Sequence, residues 1–176
     1  MSELAENTLQ STTARYSIEL REGIVTWISP EDIELVRNYH WFLNRKRNGV
    51  YAAAKVKVEG IWRTVYLHRL IMNAPRGMEV DHIDQNGLNN VRSNLRLATH
   101  RQNRRNSTPQ NKPGKTSRFK GVSWHKQYAK WRAQIKNDQS ETVYLGSSDS
   151  EEEAARMYDS AAIERYGEFA KLNFPT

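Results

Sequence analysis

Four polar residues near the middle of the chain have the types and spacing that phosphodiester hydrolysis requires. Asp81 and His82 stand side by side, a hard oxygen ligand next to a titratable imidazole; Asn94 follows 12 residues after His82, and Asn103 9 residues further on. Hydrolysing a phosphodiester takes a base to activate water and a cation to meet the charge developing on the leaving oxygen. If Asn103 and Asp81 converge on one divalent ion, His82 is left as the base.

The segment around these residues reads as strand, loop, strand, helix. Glu79–Ile83 is a short apolar-polar alternation, Asp84–Ser93 (DQNGLNNVRS) an Asn-rich polar loop, and Leu95–Ala98 a second short strand. Thr99 with Gln102 at the third helical position forms a capping box that predicts a helix to about Asn106 and places Asn103 inside it. Upstream, Tyr16–Ile28 is strand-like around the turn Arg21-Glu22-Gly23. Ser29-Pro30-Glu31-Asp32 marks a helix start, with Ser29 as cap, and predicts a helix to about Tyr39. Trp41–Arg47, Val50–Val58 and Ile61–Leu67 are aromatic and β-branched runs joined by Asn48-Gly49 and Glu59-Gly60, the pattern of a small antiparallel meander.

Composition narrows the function classes. Of 176 residues, 27 are Lys or Arg and 20 Asp or Glu, for a net charge of +7. Apolar residues make up 38%, below the roughly 45–50% of globular chains, which predicts a small or divided core. With no cysteine, disulfides, thiol nucleophiles and Cys-ligated zinc or iron–sulfur sites are excluded. No apolar run approaches the roughly 18 residues of a membrane span, and the opening MSELAENTLQ is polar and acidic. The expectation is a soluble, cytoplasmic protein without a membrane partner. The positive charge is central: Asp81–Ser117 has 7 basic residues against 2 acidic, Arg118–Ser148 has 6 against 2, and Asp149–Thr176 reverses to 3 against 7. A basic middle third suits a nucleic-acid partner.

Residues 1–15 read as a disordered arm and 108–116 as a linker, within Asn106–Ser117 (NSTPQNKPGKTS), which has two Pro, one Gly and no large apolar side chain. Beyond it, Trp131, Ala133 and Ile135 alternate with Lys130, Arg132, Gln134 and Lys136, a strand with one apolar and one basic, polar face. Phe119–His125 and Thr142–Gly146 flank it as further strands. Ser150 and Glu153 then form a capping box that opens an Ala-rich helix ended by Gly167. A three-stranded sheet covered on one side by one helix leaves its basic face bare, ready for an anion.

Leu67-His68-Arg69-Leu70, Val80-Asp81-His82-Ile83-Asp84, Asn90, Ser93-Asn94-Leu95-Arg96 and Thr99-x-x-Gln102-Asn103 resemble the HNH homing-endonuclease family of the phage and intron type. The resemblance is close over about 65–106 and looser over the meander. It implies a ββα-metal fold with His82 as general base, Asp81 and Asn103 as metal ligands, and Asn94 as the residue that ties the loop to orient His82. Asn103 stands where many members of the wider family have His. An Asp plus Asn site offers only oxygens, which favours Mg²⁺, or Mn²⁺, over Zn²⁺, one cation per site. Among the other histidines, His68 and His100 are placed near a phosphate or in packing, His40 in structure, and His125 near the DNA backbone. Arg101, Arg104 and Arg105 on the capped helix are expected phosphate contacts.

Ser117-Arg118-Phe119-Lys120-Gly121-Val122, Lys130-Trp131-Arg132-Ala133, Tyr144-Leu145-Gly146, Glu152-Glu153-Ala154-Ala155, Tyr158-Asp159 and Leu172-Asn173-Phe174 resemble the APETALA2-type DNA-binding domain of plant transcription factors, also found attached to phage HNH nucleases. That family lays its sheet in the major groove. By position, the resemblance implies DNA contacts from Lys120, Ser123, Tyr128, Arg132, Gln134, Lys136, Thr142 and Tyr144; the alternation above selects Arg132, Gln134 and Lys136 independently. Ser123, Thr142 and Tyr144 depart from the plant pattern, so the plant target sequence does not carry over.

The expectation is therefore an α+β chain of two domains. Residues 16–107 form an HNH nuclease domain of ββα-metal fold preceded by a small antiparallel meander, and 117–176 a three-stranded antiparallel sheet packed on one helix. The implied activity is site-specific, metal-dependent cleavage of double-stranded DNA in a phage or bacterial host cell, with monomer or dimer left open. The alternatives are a transcriptional regulator retaining an inert nuclease fold and a structural RNA-binding protein; neither accounts for the Asp81, His82, Asn94, Asn103 set.

Overall fold

A computed structural model describes residues 15–21, 23–47, 49–108 and 114–175. The expected arm falls outside these residues except for Arg15, as do Glu22 and Asn48 of two expected turns and the centre of the expected linker. The elements form four small sheets with few helices. Backbone contacts divide the chain into two units: residues up to Pro75 with His82–Arg96, and Arg76–Asp81 with Leu97–Thr176.

In the first unit, β1 (Tyr16–Arg21) and β2 (Ile24–Ile28) form a hairpin. The helix expected to reach Tyr39 is cut short: a 3₁₀ turn at Pro30–Asp32 leads into a single α-turn, α1 (Ile33–Val36). At its end the Val36 carbonyl accepts from the Tyr39 N–H at 3.2 Å and from the Trp41 indole Nε1 at 3.0 Å, so a tight turn replaces the next helical bond. Ser29 does not cap the turn; its hydroxyl accepts from the Arg92 N–H at 2.8 Å. Asp32, fully buried, takes the Arg92 guanidinium at 2.6 Å. The meander follows as β3 (Trp41–Lys46), β4 (Gly49–Val58) and β5 (Ile61–Tyr66), with Ala52, Ala53 and Ala54 fully buried on both faces of β4. A helical turn that the sequence reading lacks, α2 (Leu67–Ile71), then buries Leu67, His68 and Ile71.

Next come β6 (Glu79–His82), the short β7 (Asn89–Asn90) and β8 (Leu95–Ala98), with β6 and β8 forming a two-stranded sheet. The expected Asn-rich loop is more structured than its composition suggests. Its end pairs as β7 in parallel with β2, Trp27 opposite Asn89 and Ile28 opposite Asn90. The helix α3 (His100–Asn106) opens with the complete Thr99–Gln102 capping box.

The second unit holds β9 (Val122–His125), β10 (Lys130–Lys136), β11 (Thr142–Ser148) and α4 (Glu151–Tyr166), with the sheet ordered β11-β10-β9. Ala154, Ala155 and Ala162 are fully buried, and their small side chains let α4 lie close on Val122, Ala133 and Ile135. The Ser150 cap is half of the expected box: its hydroxyl accepts from the Glu153 N–H, while the Glu153 carboxylate takes the Ser148 hydroxyl. Buried Asp159 accepts from the backbone N–H groups of Asn173 and Phe174 at 2.8 and 2.9 Å, fastening the C-terminal segment. Gly121 has φ +75°, and a Cβ there would lie 2.0 Å from the Tyr158 ring; only glycine fits. No described helix is long and apolar enough to cross a membrane.

Candidate active site and nucleic-acid face

His82 ends β6 and is 7% exposed. Its Nε2 lies 3.2 Å from the Oδ1 of Asn90, a fully buried residue whose Nδ2 donates to the Thr26 hydroxyl at 2.7 Å. Thr26 Oγ1 in turn donates to the Leu88 carbonyl at 2.8 Å. One side chain on the imidazole is thus that of Asn90. Asn94 ties the loop: its Oδ1 accepts from the Asp84 N–H at 3.0 Å, and its Nδ2 donates to Asp84 Oδ1 and the Asn89 carbonyl at 2.9 and 2.8 Å. Burial works to raise the Asp84 pKa, but hydrogen bonds from Asn89, the Asn86 N–H and Asn94, helped by nearby His82, outweigh it and hold the carboxyl below the ordinary range.

His68 packs edge-on to His82, ring centres 5.1 Å apart, and stacks on Tyr66 at 5.6 Å. Burial above all, then the nearby His82 and Arg69, lowers its pKa to about 3, so it is neutral wherever a base is needed.

In the second unit, Glu79 and Asp81 lie two apart on β6 and so share a face. His100, Asn103 and Asn106 recur every three residues on α3. The two sets meet. Asn106 Nδ2 donates to both oxygens of the buried Asp81 carboxylate at 3.0 and 3.1 Å, Asn103 Nδ2 donates to Glu79, and His100 Nδ1 lies 2.7 Å from Glu79. The amide on Asp81 is therefore that of Asn106, while Asn103 engages Glu79. The described residues include no group of three or more His, Cys, Asp or Glu side chains that could hold a metal. The His100 imidazole on Glu79 apart, the donors present are two carboxylates and two amides, and an amide offers its oxygen after a half-turn about its last bond. Such an oxygen-only set fits a hard divalent cation.

The cross-strand register gathers the expected DNA-facing residues. Arg132 opposes Ser123, Gln134 opposes Tyr144, and Lys136 opposes Thr142. Directly opposed residues share a face, here the one away from buried Ala133 and Ile135. Tyr144 and Tyr128 are exposed, Arg132 lies over the Tyr144 ring at 5.9 Å, and Tyr128 stacks on His125 at 4.8 Å. Arg104 is exposed on α3 and lines one hollow with Lys115, Gln134 and Lys136. Three other basic residues are engaged within the chain. Lys120 Nζ donates to the Arg105 and Ser107 carbonyls, Arg105 pairs with Asp138 and lies 4.4 Å over the Tyr166 ring, and Arg101 donates to the Asp138 carbonyl.

Residues 65–105 match the HNH endonuclease family and residues 117–168 the AP2 domain. An uncharacterized HNH endonuclease of Acanthamoeba polyphaga mimivirus is 34% identical over 154 residues, covering 86% of this chain and 76% of its own length. The chain belongs to the HNH endonuclease family. Protein 3.8 of Escherichia phage T7 is 37% identical over 99 residues, 56% of this chain and 78% of the phage protein. An AP2-like ethylene-responsive transcription factor of Arabidopsis thaliana is 39% identical over 82 residues, 41% of this chain and 27% of the plant protein. For this HNH endonuclease-family chain, the matched regions coincide with the two places where chemistry-bearing side chains gather. Both domains indicate DNA binding.

Among the functional candidates, sequence reasoning missed Asn106, Glu79 and Thr26. The helical spacing of Asn106 from Asn103 was the available signal for the first; nothing local points to Thr26, which lies 64 residues from Asn90.

Proposed function

We propose that the chain is a homing-type, site-specific endonuclease of double-stranded DNA, with a ββα-metal nuclease domain at 16–107 and a recognition domain at 117–176 joined by residues 108–116. The observation that carries this reading is the buried Asp81-His82 pair on β6, each side chain held by an amide: Asn106 on Asp81 and Asn90 on His82. Asp81, with an amide oxygen from Asn103 or Asn106, would hold a divalent cation, Mg²⁺ or Mn²⁺, whose charge would offset the negative charge growing on the leaving oxygen. His82 takes a proton from water as the water oxygen forms a bond to phosphorus and the opposite P–O bond breaks. Asn94 keeps the loop closed so that β6 ends at a fixed place.

Ser123, Tyr128, Arg132, Gln134, Lys136, Thr142 and Tyr144 place the sheet on DNA, with Arg101 and Arg104 adding phosphate contacts from α3. Lys120 and Arg105 act first as the joint that holds α3. The viral and phage relatives support a place of action inside an infected host cell, and the phage relative supports a bacterial one. One active site per chain gives nicking; a double-strand break needs a second copy or a second event.

The test is plasmid cleavage by the purified chain with Mg²⁺, reading nicked against linear product. His82→Ala should lose roughly 10²–10⁴-fold in rate with DNA affinity within about twofold of the parent. A wild-type protein that binds DNA but cuts in neither Mg²⁺ nor Mn²⁺ would instead support a regulator with an inert nuclease fold.

A further inference from the structure

We infer that α3 is a rigid spacer between the recognition sheet and Asp81, so that the chain cuts at a fixed number of base pairs from the sequence it binds. Arg105, Lys120 and Asp138 are the positioning residues. Their role is to select which bond of the DNA is cut, and it rests on the proposal that the chain is an endonuclease.

The helix is gripped on two opposite sides. Residues of an α-helix turn by about 100° each, so Arg101 and Arg105 share one side, while Asn103, two positions from either, lies about 200° away on the other. The Asn103 side, together with Asn106, holds Glu79 and Asp81 of β6. The arginine side holds the turn between β10 and β11: Arg101 donates to the Asp138 carbonyl, and Arg105 pairs with the Asp138 carboxylate. The Arg105 guanidinium also lies 4.4 Å over the Tyr166 ring, and its side chain is only 16% exposed. A further hold is at the end of the helix, where Lys120 Nζ donates to the carbonyls of Arg105 and Ser107. Cations suit that end, where the last carbonyls of a helix have no partner within it.

The turn that carries Asp138 is itself braced. Asn137 Oδ1 accepts from the N–H groups of Gln139 and Glu141 at 3.0 and 2.8 Å, and the Asn137 N–H donates to the Glu141 carbonyl at 2.9 Å. The Tyr166 hydroxyl donates to the Lys136 carbonyl, tying α4 to the same end of β10. A continuous run of contacts thus leads from the strand that carries Gln134 and Lys136, through the turn and α3, to Asp81. All of these elements belong to one compact unit, whose β6 portion ends at Asp81. The route does not pass through residues 108–116. Base pairs step by about 3.4 Å along the duplex, so a joint that gives by less than one step selects a single bond.

The experiment uses the full chain with Mg²⁺ and a long duplex on which the parent's footprint and its main nick have been mapped. Base pairs are then inserted singly between the two. With each insertion the parent's nick should move with the bound sequence and keep its distance from it. The double variant Lys120→Met with Asp138→Ala loses the ammonium and carboxylate holds. It should nick over several neighbouring bonds with kcat lower by about 10–100-fold, the effect of a slightly misplaced site, and with DNA affinity unchanged. Asp138→Glu, which keeps the carboxylate, should retain the parent's single bond. A loss of stability alone would slow cleavage without spreading the cuts. A parent nick that stays on its original bond while the bound sequence is shifted would overturn the inference, and that test needs no variant to fold. A double variant that keeps the parent's single bond on every substrate would overturn it as well. In either case the endonuclease reading stands and the spacer role fails alone; a parent that nicks no substrate refutes the endonuclease reading, and the spacer role falls with it.

Discussion

Lys120 offers a decisive perturbation, because its position in the recognition domain implies a DNA contact while its ammonium is directed into the chain. Nζ donates to the carbonyls of Arg105 and Ser107 at the end of α3. Lys120→Met keeps most of the stem's bulk and removes both bonds. The ammonium is partly buried, and burial disfavours its charge, so its two bonds together contribute no more than the low end of the roughly 1.5–3 kcal/mol net of one well-placed charged hydrogen bond, a loss of about 1–2 kcal/mol. At about 2–4 °C per kcal/mol for a chain of this size, the melting temperature should fall by about 2–8 °C. Burial, and after it the neighbouring Lys171, lowers the Lys120 pKa from 10.5 to about 8. Between those values the unfolded chain holds the proton and the folded chain has released it. The unfolded state then binds more protons, so this group makes stability rise with pH across that window and adds no slope below pH 8. Thermal melts from pH 7 to 10 should show that rise in the parent and lack its contribution in Lys120→Met. DNA binding followed by fluorescence anisotropy against salt supplies the second reading. The log–log slope should be unchanged in Lys120→Met, whereas Lys136→Met on the exposed face should lower it by about 0.9, one phosphate contact. A Lys120→Met protein with an unchanged melting temperature and a slope reduced by about 0.9 would refute the reasoning and return Lys120 to the DNA.

Three further outcomes are expected. EDTA should stop cleavage, and Mg²⁺ or Mn²⁺ should restore it better than Zn²⁺, since the donors are all oxygens; undiminished cutting in EDTA removes the metal assignment. Gly121→Ala should destabilise the C-terminal domain by at least about 2 kcal/mol in a thermal melt, because the new Cβ would meet the Tyr158 ring at 2.0 Å and the Gln134 carbonyl at 2.6 Å in a tightly packed place; a neutral effect contradicts the packing described. Arg92→Met should cost more than Asp32→Asn, roughly 3 kcal/mol by urea unfolding, since the first strands a carboxylate whose side chain is 1% exposed and the second leaves an arginine 44% exposed that can turn to water; equal costs would show that burial does not set the difference.

The sequence by itself determined whatever depends on neighbours within a turn or a pleat. The Thr99–Gln102 box placed α3, because both partners lie within one helical turn. The two-residue alternation of β10 separated Ala133 and Ile135 from Arg132, Gln134 and Lys136, because the pleat has period two. The spacing of Asp81, His82, Asn94 and Asn103 suggested the chemistry that is proposed for this chain. Only the tertiary structure decided which partner each of these polar groups takes. Asn90 reaches Thr26 across 64 residues through a parallel pairing of two residues per strand, too short for any local pattern to announce. Asp81 is held by Asn106 and not Asn103, although both amides lie on one face of α3, because the height of the helix along β6 selects between them. The Val36 carbonyl at the end of α1 is shared by the Tyr39 N–H and the Trp41 indole, partners that helix propensity does not contain. Lys120 turned from the expected DNA face to the end of α3 because a long, flexible cation goes where unsatisfied carbonyls are nearest, and where those lie is a property of the folded chain.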